Sequence, residues 1–250
     1  MGNSLFLSLS YYSIPVPIKR LLTSALLKEA KKNKLSELIV LIDTEPNEEL
    51  KTFPSKLGKD HPLFRYSSTL PDVDIPFINR ENFLHLCSEM EHPKNKQVFE
   101  KTVAIVMHSK PPADQQVTAL DGICIVTPVD MAIIPLIYQT ILSMHSLSKI
   151  VPIFLWIFGE SKIEIGAEFF LQIKHELDEL AREAIDLYYL GCIQISREEL
   201  LLLSRFKKDI HSAFPESSLL GSVKYACDRL FIFPEMQDRF LSGQILRGLL

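Results

Sequence analysis

Apolar runs alternate with segments of helical periodicity along this chain. Unbroken apolar runs are typical of strands buried on both faces, and they predict strands at 38–42, 102–107, 122–126, 151–158 and 188–193, after a first run at 4–9. Apolar residues at helical spacing predict helices at 18–34, 80–91, 131–145 and 169–184, then near 196–210, 217–230 and 235–248. The proline-containing stretch 44–76 predicts a loop-rich segment.

This alternation predicts an α/β fold with a mostly parallel, doubly wound, Rossmann-like sheet that helices cover on both faces. Asp130 follows a predicted strand and is placed to cap the next helix. Trp156 lies within an apolar run, so we expect it in the core. The uncharged stretch Met131–Ser148 is interrupted by Pro135, which favours a buried helix over a membrane span of about 20 apolar residues.

The composition narrows the classes of function. The 250 residues carry 31 acidic and 27 basic side chains, a balance that produces no field attracting nucleic acid or an anionic membrane. No cysteine forms a C-x-x-C pair, so we expect reduced, mostly buried thiols at Cys87, Cys124, Cys192 and Cys227. Because no secretory signal pattern is present, we expect a cytoplasmic protein that binds no nucleic acid.

Glycine is scarce in the first half of the chain. Of nine glycines, only Gly58 lies between Gly2 and Gly122. A phosphate-binding loop needs glycines, because its backbone approaches the phosphates closely. The sequence therefore excludes a working glycine-rich nucleotide loop before Gly122. His85 and Cys87 are two apart on a predicted helix and do not share a face, so no metal site is expected.

Five segments carry a likeness to a known family: Ile39–Asp43, Leu120–Pro128, Glu164–Ala167, Tyr189–Ile193 and Ala213–Ser218. In this order they resemble the MinD/ParA family of P-loop ATPases, and in particular the branch that includes the flagellar-number regulator FlhG. The resemblance implies a P-loop NTPase-like fold, with a single MinD-like domain over 1–234 and a C-terminal helix over 235–250.

The loop Tyr11–Lys19 departs from the family at the position where the family binds phosphate. The family has a loop of the type KGGVGKT there, whereas this chain has Ser13, Pro15 and Pro17, and only Lys19 keeps a residue type of the motif. Proline has no N–H to offer a phosphate, and β-branched residues cannot replace glycine in so tight a turn. The comparison therefore implies a degenerate nucleotide site.

Other nucleotide-handling positions of the family are altered as well. Asp43 keeps the family's first acidic residue, but the second acidic position falls near His108 and Lys110, which cannot support Mg²⁺ as a carboxylate does. The family's base-reading asparagine falls within Trp156–Gly159, which has no side-chain amide. We therefore expect a pseudo-ATPase without a cofactor, which would bind ATP and Mg²⁺ only if the degenerate loop still holds phosphate.

The resemblance implies a non-catalytic binding or regulatory module in the placement or assembly of a cell-envelope machine. The flagellum is the first candidate, with a secretion system or the division apparatus behind it. The implied partners are flagellar or envelope-assembly proteins, and a homodimer would form without ATP or not at all.

Two alternatives stay open. An active ATPase or another enzyme on this fold would use Asp43, His108 and Lys110, because loops at the carboxyl ends of parallel strands form the usual crevice. A peripheral membrane protein would instead dock on the inner face of the cytoplasmic membrane through residues 235–250. Leu241, Ile245 and Leu249 lie at i, i+4 spacing there, although the charges of this stretch balance rather than form a cationic face.

Overall fold

The computed structural model describes residues 5–14, 18–19, 22–23, 25–26, 29, 38–43, 52–53, 65–67, 76–79, 102–108, 122–146, 151–159, 163–181, 185–196, 198–199, 201 and 217–241. Its strands are β1 (Leu5–Tyr11), β2 (Leu38–Asp43), β3 (Thr52–Phe53), β4 (Arg65–Ser67), β5 (Pro76–Asn79), β6 (Thr102–His108), β7 (Gly122–Pro128), β8 (Ile153–Gly159) and β9 (Leu187–Gln194). Its long helices are α1 (Ile134–Ser146), α2 (Ile163–Ala181) and α3 (Ser218–Leu241). The described residues within 18–29 and within 198–201 are helical too.

The strands form one sheet in the order β3-β4-β5-β2-β6-β1-β7-β8-β9. From β5 to β9 every neighbouring pair is parallel, and β4 runs antiparallel to both of its neighbours. This arrangement confirms the predicted mostly parallel, doubly wound α/β sheet. Within the stretch 44–76, which the sequence predicts to be loop-rich, the structure adds the short strands β3 and β4 and the start of β5. Those strands have two to four residues, too few to give an apolar run.

Alternating side chains divide the core into two layers, one on each face of the sheet. On β7, Ile123 and Ile125 face the layer that contains α1 and α2. Cys124 and Val126 face the layer that contains α3 and the helical residues within 18–29. A strand buried on both faces reads as a continuous apolar run, which is why β7 could be predicted from the sequence. Trp156 on β8 is fully buried in the second layer, as expected.

Helix α1 begins where the sequence predicts. Asp130 Oδ1 accepts a hydrogen bond from the backbone N–H of Ala132 at 2.9 Å, and a single 3₁₀ turn, Met131–Ile133, leads into α1. An aspartate at this position satisfies one of the backbone donors that the start of a helix leaves unpaired. The predicted cap is therefore confirmed.

Helix α2 buries most of its predicted apolar face. Phe169, Phe170, Ile173 and Leu177 are buried, whereas Leu180, predicted on the same face, is 55% exposed. Leu180 lies in the last turn before Ala181, where the helix ends, so it extends past the layer that the other four fill. Ala184, also predicted on that face, lies outside the described residues.

Helix α3 is longer than the sequence predicts. The separate helices expected at 217–230 and 235–248 form one continuous helix as far as Leu241. Residues 242–250 lie outside the described part, so the division into a domain over 1–234 and a helix over 235–250 stays a prediction. None of the described helices is long and apolar enough to cross a membrane.

Strand β9 is the last strand of the sheet, and α3 packs against it. Three side chains of α3 donate hydrogen bonds to carbonyl oxygens of β9: Ser218 to Gln194 at 3.3 Å, Ser222 to Cys192 at 3.2 Å and Arg229 to Tyr189 at 3.2 Å. We call these three bonds the edge contacts. A strand at the edge of a sheet leaves backbone groups without a strand partner. Helix α3 supplies side-chain partners for three of them.

A β-bulge at Gly191 shapes the same strand. Residues 189 and 192 of β9 pair with residues 155 and 157 of β8, so β9 carries one extra residue between them. Gly191 takes φ +102°, which a side chain would strain, and the ring of Tyr225 covers it. The guanidinium of Arg229 lies 5.3 Å from the centre of that ring. The bulge and its cover therefore belong to the α3–β9 packing.

The three cysteines among the described residues are free and buried, as predicted: Cys124, Cys192 and Cys227. Burial raises the pKa of the Cys227 thiol to about 12, and the nearby carboxylates of Glu29 and Asp228 add to the rise. These thiols are protonated at neutral pH and serve the packing. Cys87 lies outside the described residues.

Candidate functional site

The crossover point of the sheet locates the candidate site. Strand β1 lies between β6 on one side and β7 on the other; after β1 the chain goes to β2, on the β6 side of the sheet, whereas after β7 it goes to β8, toward the opposite edge. In open parallel sheets, ligands bind beyond the carboxyl ends of the strands at such a point. The segment after β1 and the segment after β7 border this position.

Two adjacent tyrosines, the last residue of β1 and the one after it, project into opposite layers of the core. Tyr11 packs in the layer of α3, and Tyr12 packs in the layer of α1 and α2. Their exposed fractions are 1% and 2%. We call them the tyrosine pair. Their rings fill the space on both sides of the chain directly before the loop that faces the crossover point.

Each tyrosine hydroxyl bonds to a threonine of a helix in its own layer. Tyr11 Oη lies 2.6 Å from Oγ1 of Thr23, within the helical residues of 18–29. Tyr12 Oη lies 3.1 Å from Oγ1 of Thr140 on α1. Both threonines are fully buried. The tyrosine pair thus attaches the end of the central strand to one helix on each face of the sheet.

Burial sets the protonation of the tyrosine pair. It raises the pKa of Tyr12 to about 12, and hydrogen bonds to Thr140 and Ser10 offset part of the rise. Burial raises the pKa of Tyr11 further, well above its usual range, although the bond to Thr23 lowers it in part. Both phenols are neutral at physiological pH. They act here as hydrogen-bonding and packing groups.

The chain turns directly after the tyrosine pair. The backbone N–H of Tyr12 donates to the carbonyl of Val126 on β7 at 2.9 Å, which extends the pairing of β1 and β7 by one residue. Ser13 is exposed and takes φ +55°, a left-handed conformation that favours glycine. Ile14 then returns to the core beside Tyr11 and is 6% exposed. The loop begins with one outward turn and a buried anchor.

The segment after β7 presents apolar side chains at the same border. Val129 and Met131 are 44% and 39% exposed, on either side of the cap residue Asp130. Thr127 is fully buried, and its hydroxyl donates to the carbonyl of Pro128 at 3.0 Å. This border of the crossover point is therefore mostly apolar.

Strand register brings two of the three predicted catalytic positions close together in the sheet. Asp43, the last residue of β2, pairs with Met107 of the adjacent strand β6. His108 is the next residue of β6 and pairs with Ser10 of β1. Asp43 and His108 therefore end neighbouring strands. Lys110 lies outside the described residues, so the proposed three-residue site stays a prediction.

Comparisons with known proteins identify the fold. No protein-family model matches the chain, and no curated protein sequence matches it. Among solved structures, MinD from Aquifex aeolicus in the MinC:MinD cell division protein complex has a TM-score of 0.60 at 12% identity, over 91% of this chain and 96% of that chain. A ParA family ATPase from Chlorobium tepidum has a TM-score of 0.57 at 12% identity, over 89% and 98% of the two chains. This chain has the MinD/ParA fold.

A nucleotide-bound structure also matches this MinD/ParA fold. The septum site-determining protein MinD from Pyrococcus horikoshii, complexed with Mg-ADP, has a TM-score of 0.53 at 10% identity, over 91% of this chain and 96% of that chain. At such identities the likeness concerns the path of the chain. The predicted fold class is confirmed, whereas the flagellar branch is not tested by these matches.

The loop that resembles the family's phosphate loop is described in part. Ser13 is exposed at the turn, and Lys19 is helical and partly buried. Pro15 and Pro17 lie outside the described residues. The assignment of these four residues to a degenerate phosphate loop therefore stays a prediction.

Sequence reasoning missed the residues that fix this site. Tyr11 and Tyr12 begin the loop Tyr11–Lys19, but the sequence assigns them no role. Thr140 lies 128 residues from its partner Tyr12. No periodic pattern predicts which hydroxyl meets which across such a distance. A second omission had a readable signal: Ser196 and Glu199 cap each other's backbone N–H, at 3.1 and 2.8 Å, in the S-x-x-E pattern of a capping box.

Glu199 also reaches the start of α3. Its Oε1 accepts a hydrogen bond from the hydroxyl of Ser217 at 2.9 Å, and that hydroxyl accepts from the backbone N–H of Leu219 at 3.1 Å. Burial works against ionisation of Glu199, but the bonds from Ser196 and Ser217 outweigh it and lower the pKa of this carboxyl. One carboxylate thus stabilises two helix starts beyond the carboxyl end of β9.

The remaining predicted sites lie at the end of the described residues or outside them. Leu241 is the last residue of α3, and Ile245 and Leu249 lie outside the described residues. His85 and Cys87 also lie outside them. In the part of the chain that the structure describes, no group of three or more His, Cys, Asp or Glu side chains could hold a metal ion.

Proposed function

We propose that this protein is a MinD/ParA-type positioning factor that binds protein partners without binding or hydrolysing ATP. The observation that carries the proposal is the tyrosine pair at the carboxyl end of β1. It places two large buried rings and an anchored isoleucine, Ile14, where a nucleotide-binding protein of this fold would need an open loop.

The available backbone donors fit a phosphate poorly. The N–H of Tyr12 is already bonded to Val126, and Pro15 and Pro17 have no N–H at all. A phosphate cradle depends on several consecutive N–H groups that point at one anion. Lys19 supplies a single cation, which does not replace such a cradle. ATP therefore has little to bind in this loop.

The fold supports a role in positioning or division. Two of the matching proteins are named MinD, one as a cell division protein in complex with MinC and the other as a septum site-determining protein. We extend that role to this chain as placement or assembly of a cell-envelope machine, with the flagellum as the first candidate. The partner would be a protein of that machine, and any homodimer would form without ATP.

Titration calorimetry tests the non-catalytic part of this proposal. We expect no heat of binding when ATP and Mg²⁺, both at millimolar concentration, are added to the purified protein. Micromolar, Mg²⁺-dependent binding of ATP would overturn the proposal. If any heat appears, the Lys19→Ala variant shows whether it comes from this loop, because binding elsewhere would not change.

A fluorescent fusion expressed in the native cell tests the positioning part. We expect a discrete focus at the envelope that persists in the Lys19→Ala variant, since the proposed role needs no ATP. Uniform fluorescence would contradict a positioning role. A focus that disappears when Ile245 and Leu249, beyond the end of α3, are both replaced by aspartate would instead support docking on the membrane through 235–250.

A second candidate function is an enzyme on the same fold, with Asp43 and His108 one residue out of register on adjacent strands. Asp43 and His108 end adjacent strands at the carboxyl side of the sheet, where active sites of parallel sheets lie. Phosphate release from ATP, measured for the protein and for Asp43→Asn, tests this candidate. Release that falls more than about tenfold in the variant, a barrier change of about 1.4 kcal/mol, would support it.

A further inference from the structure

Four buried hydroxyl groups form two bonded pairs between the centre of β1 and α1. Ser8 Oγ lies 3.1 Å from Ser10 Oγ, and Tyr12 Oη lies 3.1 Å from Thr140 Oγ1. Ser8, Ser10 and Thr140 are fully buried, and Tyr12 is 2% exposed. The serines and Tyr12 occupy alternate positions along the chain, so they face the same layer of the core. Polar groups so deeply buried are costly unless they bond to each other.

The bond between Tyr12 and Thr140 has a defined donor and acceptor. The hydroxyl of Thr140 donates its proton to the carbonyl of Leu136 at 3.0 Å. Its oxygen must therefore accept from Tyr12, and the Tyr12 hydroxyl is the donor.

Tyr12 holds the segment after β7 at two points. Its backbone N–H donates to Val126, before that segment, and its hydroxyl donates to Thr140, after it. The exposed apolar side chains of Val129 and Met131 lie between the two points. The position of this exposed segment is thus fixed by Tyr12, directly after β1.

We propose that Tyr12, bonded through its backbone N–H to Val126 and through its hydroxyl to Thr140, is a built-in tie that fixes the exposed segment 129–131 in one arrangement without any ligand. The proposal rests on the proposed function, a binding module whose partner surface does not wait for ATP. The tie joins the loop after β1 to α1 through protein groups alone, and the exposed segment keeps its arrangement for a protein partner.

Hydrogen exchange measured by mass spectrometry on the full chain, without nucleotide, tests the tie. In Tyr12→Phe we expect amides in 129–146 and in the loop after β1 to exchange about tenfold faster, a change of about 1.4 kcal/mol, because the buried hydroxyl of Thr140 loses its hydrogen-bond partner. The matched control is Ile137→Val, which trims a fully buried side chain of α1 without touching a hydroxyl. It should accelerate exchange in α1 but not in the loop.

A second pair of variants keeps the test decisive if Tyr12→Phe folds poorly. Thr140→Val removes the hydroxyl at nearly constant shape and should reproduce the joint acceleration, whereas Thr140→Ser keeps the hydroxyl and should exchange almost as the unaltered protein does. The tie is overturned if Thr140→Val and Thr140→Ser exchange alike, or if the loop and α1 respond independently. Addition of Mg²⁺ and ATP separates the two proposals: new protection in the loop would contradict the proposed function and leave the tie standing.

Discussion

The carboxyl end of β1 and the outer edge of β9 are two regions where a parallel sheet normally leaves polar groups open. At β1 the tyrosine pair closes the region with hydrogen bonds among groups that are at most 2% exposed. At β9 the edge contacts close it with bonds from Ser218, Ser222 and Arg229, which lie at the surface or partly buried. Water can replace the partners at β9 but not at β1. We therefore expect the two regions to differ in energy although they use similar groups.

The same comparison bears on function. A binding site for a small ligand needs polar groups that are free until the ligand arrives. At the end of β1, the hydroxyls of the tyrosine pair and the N–H of Tyr12 are already bonded to other protein atoms. The edge contacts engage three carbonyls of β9 with side chains of the same molecule. Beside the crossover point, Val129 and Met131 remain exposed, at 44% and 39%.

Alkaline pH should produce the largest effect. The buried state raises the pKa of Tyr12 to about 12 and of Cys227 to about 12, from ordinary values of 10.0 and 9.0. The unfolded chain loses these protons first, so the stabilisation is complete below about pH 8 and is lost as the pH rises towards 12. The rise in the pKa of Tyr12 alone corresponds to a loss of about 3 kcal/mol of unfolding free energy between pH 9 and pH 12 and above. Urea midpoints at increasing pH, followed by the fluorescence of Trp156, the only tryptophan of the chain, would measure the loss.

The Tyr12→Phe variant serves as the control for this pH dependence. It should lose less stability than the unaltered protein between pH 10 and 12, because it has one fewer group to ionise on unfolding. A urea midpoint that stays constant from pH 9 to 12 would show that these groups are not buried as described.

The variants Tyr11→Phe and Ser222→Ala compare the two regions directly by the unfolding free energy that each one loses. The first leaves the buried hydroxyl of Thr23 without its 2.6 Å partner and should cost about 1–3 kcal/mol of unfolding free energy. The second leaves a carbonyl of β9 that water can reach and should cost about 0.5 kcal/mol. Urea unfolding of both variants measures the difference. Tyr11→Phe combined with Thr23→Val should recover most of the loss, and equal costs for the two single variants would remove the distinction between centre and edge.

The sequence predicts most of the central sheet for the reason that the two regions illustrate. β2, β6, β7 and β8 lie within the sheet, and their apolar runs follow from that position. Asp130 was predictable because a cap acts over two residues. The bonds of the tyrosine pair were not, since they depend on which helices come to lie on each face, and the short strands β3, β4 and β5 take their order from pairing rather than from an apolar pattern.

Two glycines at the α3–β9 packing should respond with opposite signs. Gly191 takes φ +102°, so Gly191→Ala should cost about 1–2 kcal/mol through backbone strain. Gly221, on α3, has open space around the position of an added Cβ, and Gly221→Ala should stabilise the helix by about 0.5–1 kcal/mol. Thermal unfolding of both variants provides the measurement. A loss at Gly221 or a gain at Gly191 would mean that the bulge and helix are not arranged as described.

Ser13→Gly should have the smallest effect, and it separates the backbone of the loop from its chemistry. Ser13 takes φ +55°, at a cost of about 1 kcal/mol that glycine avoids, while the greater freedom of glycine in the unfolded chain costs about 0.4–1 kcal/mol. We expect a net change between zero and about 0.5 kcal/mol in favour of the variant. Ser13→Ala keeps the Cβ and should gain nothing. Ser13→Gly should also acquire no ATP binding in calorimetry, because the tyrosine pair and the two prolines stay in place; a variant that binds ATP would show that a single side chain closes the site.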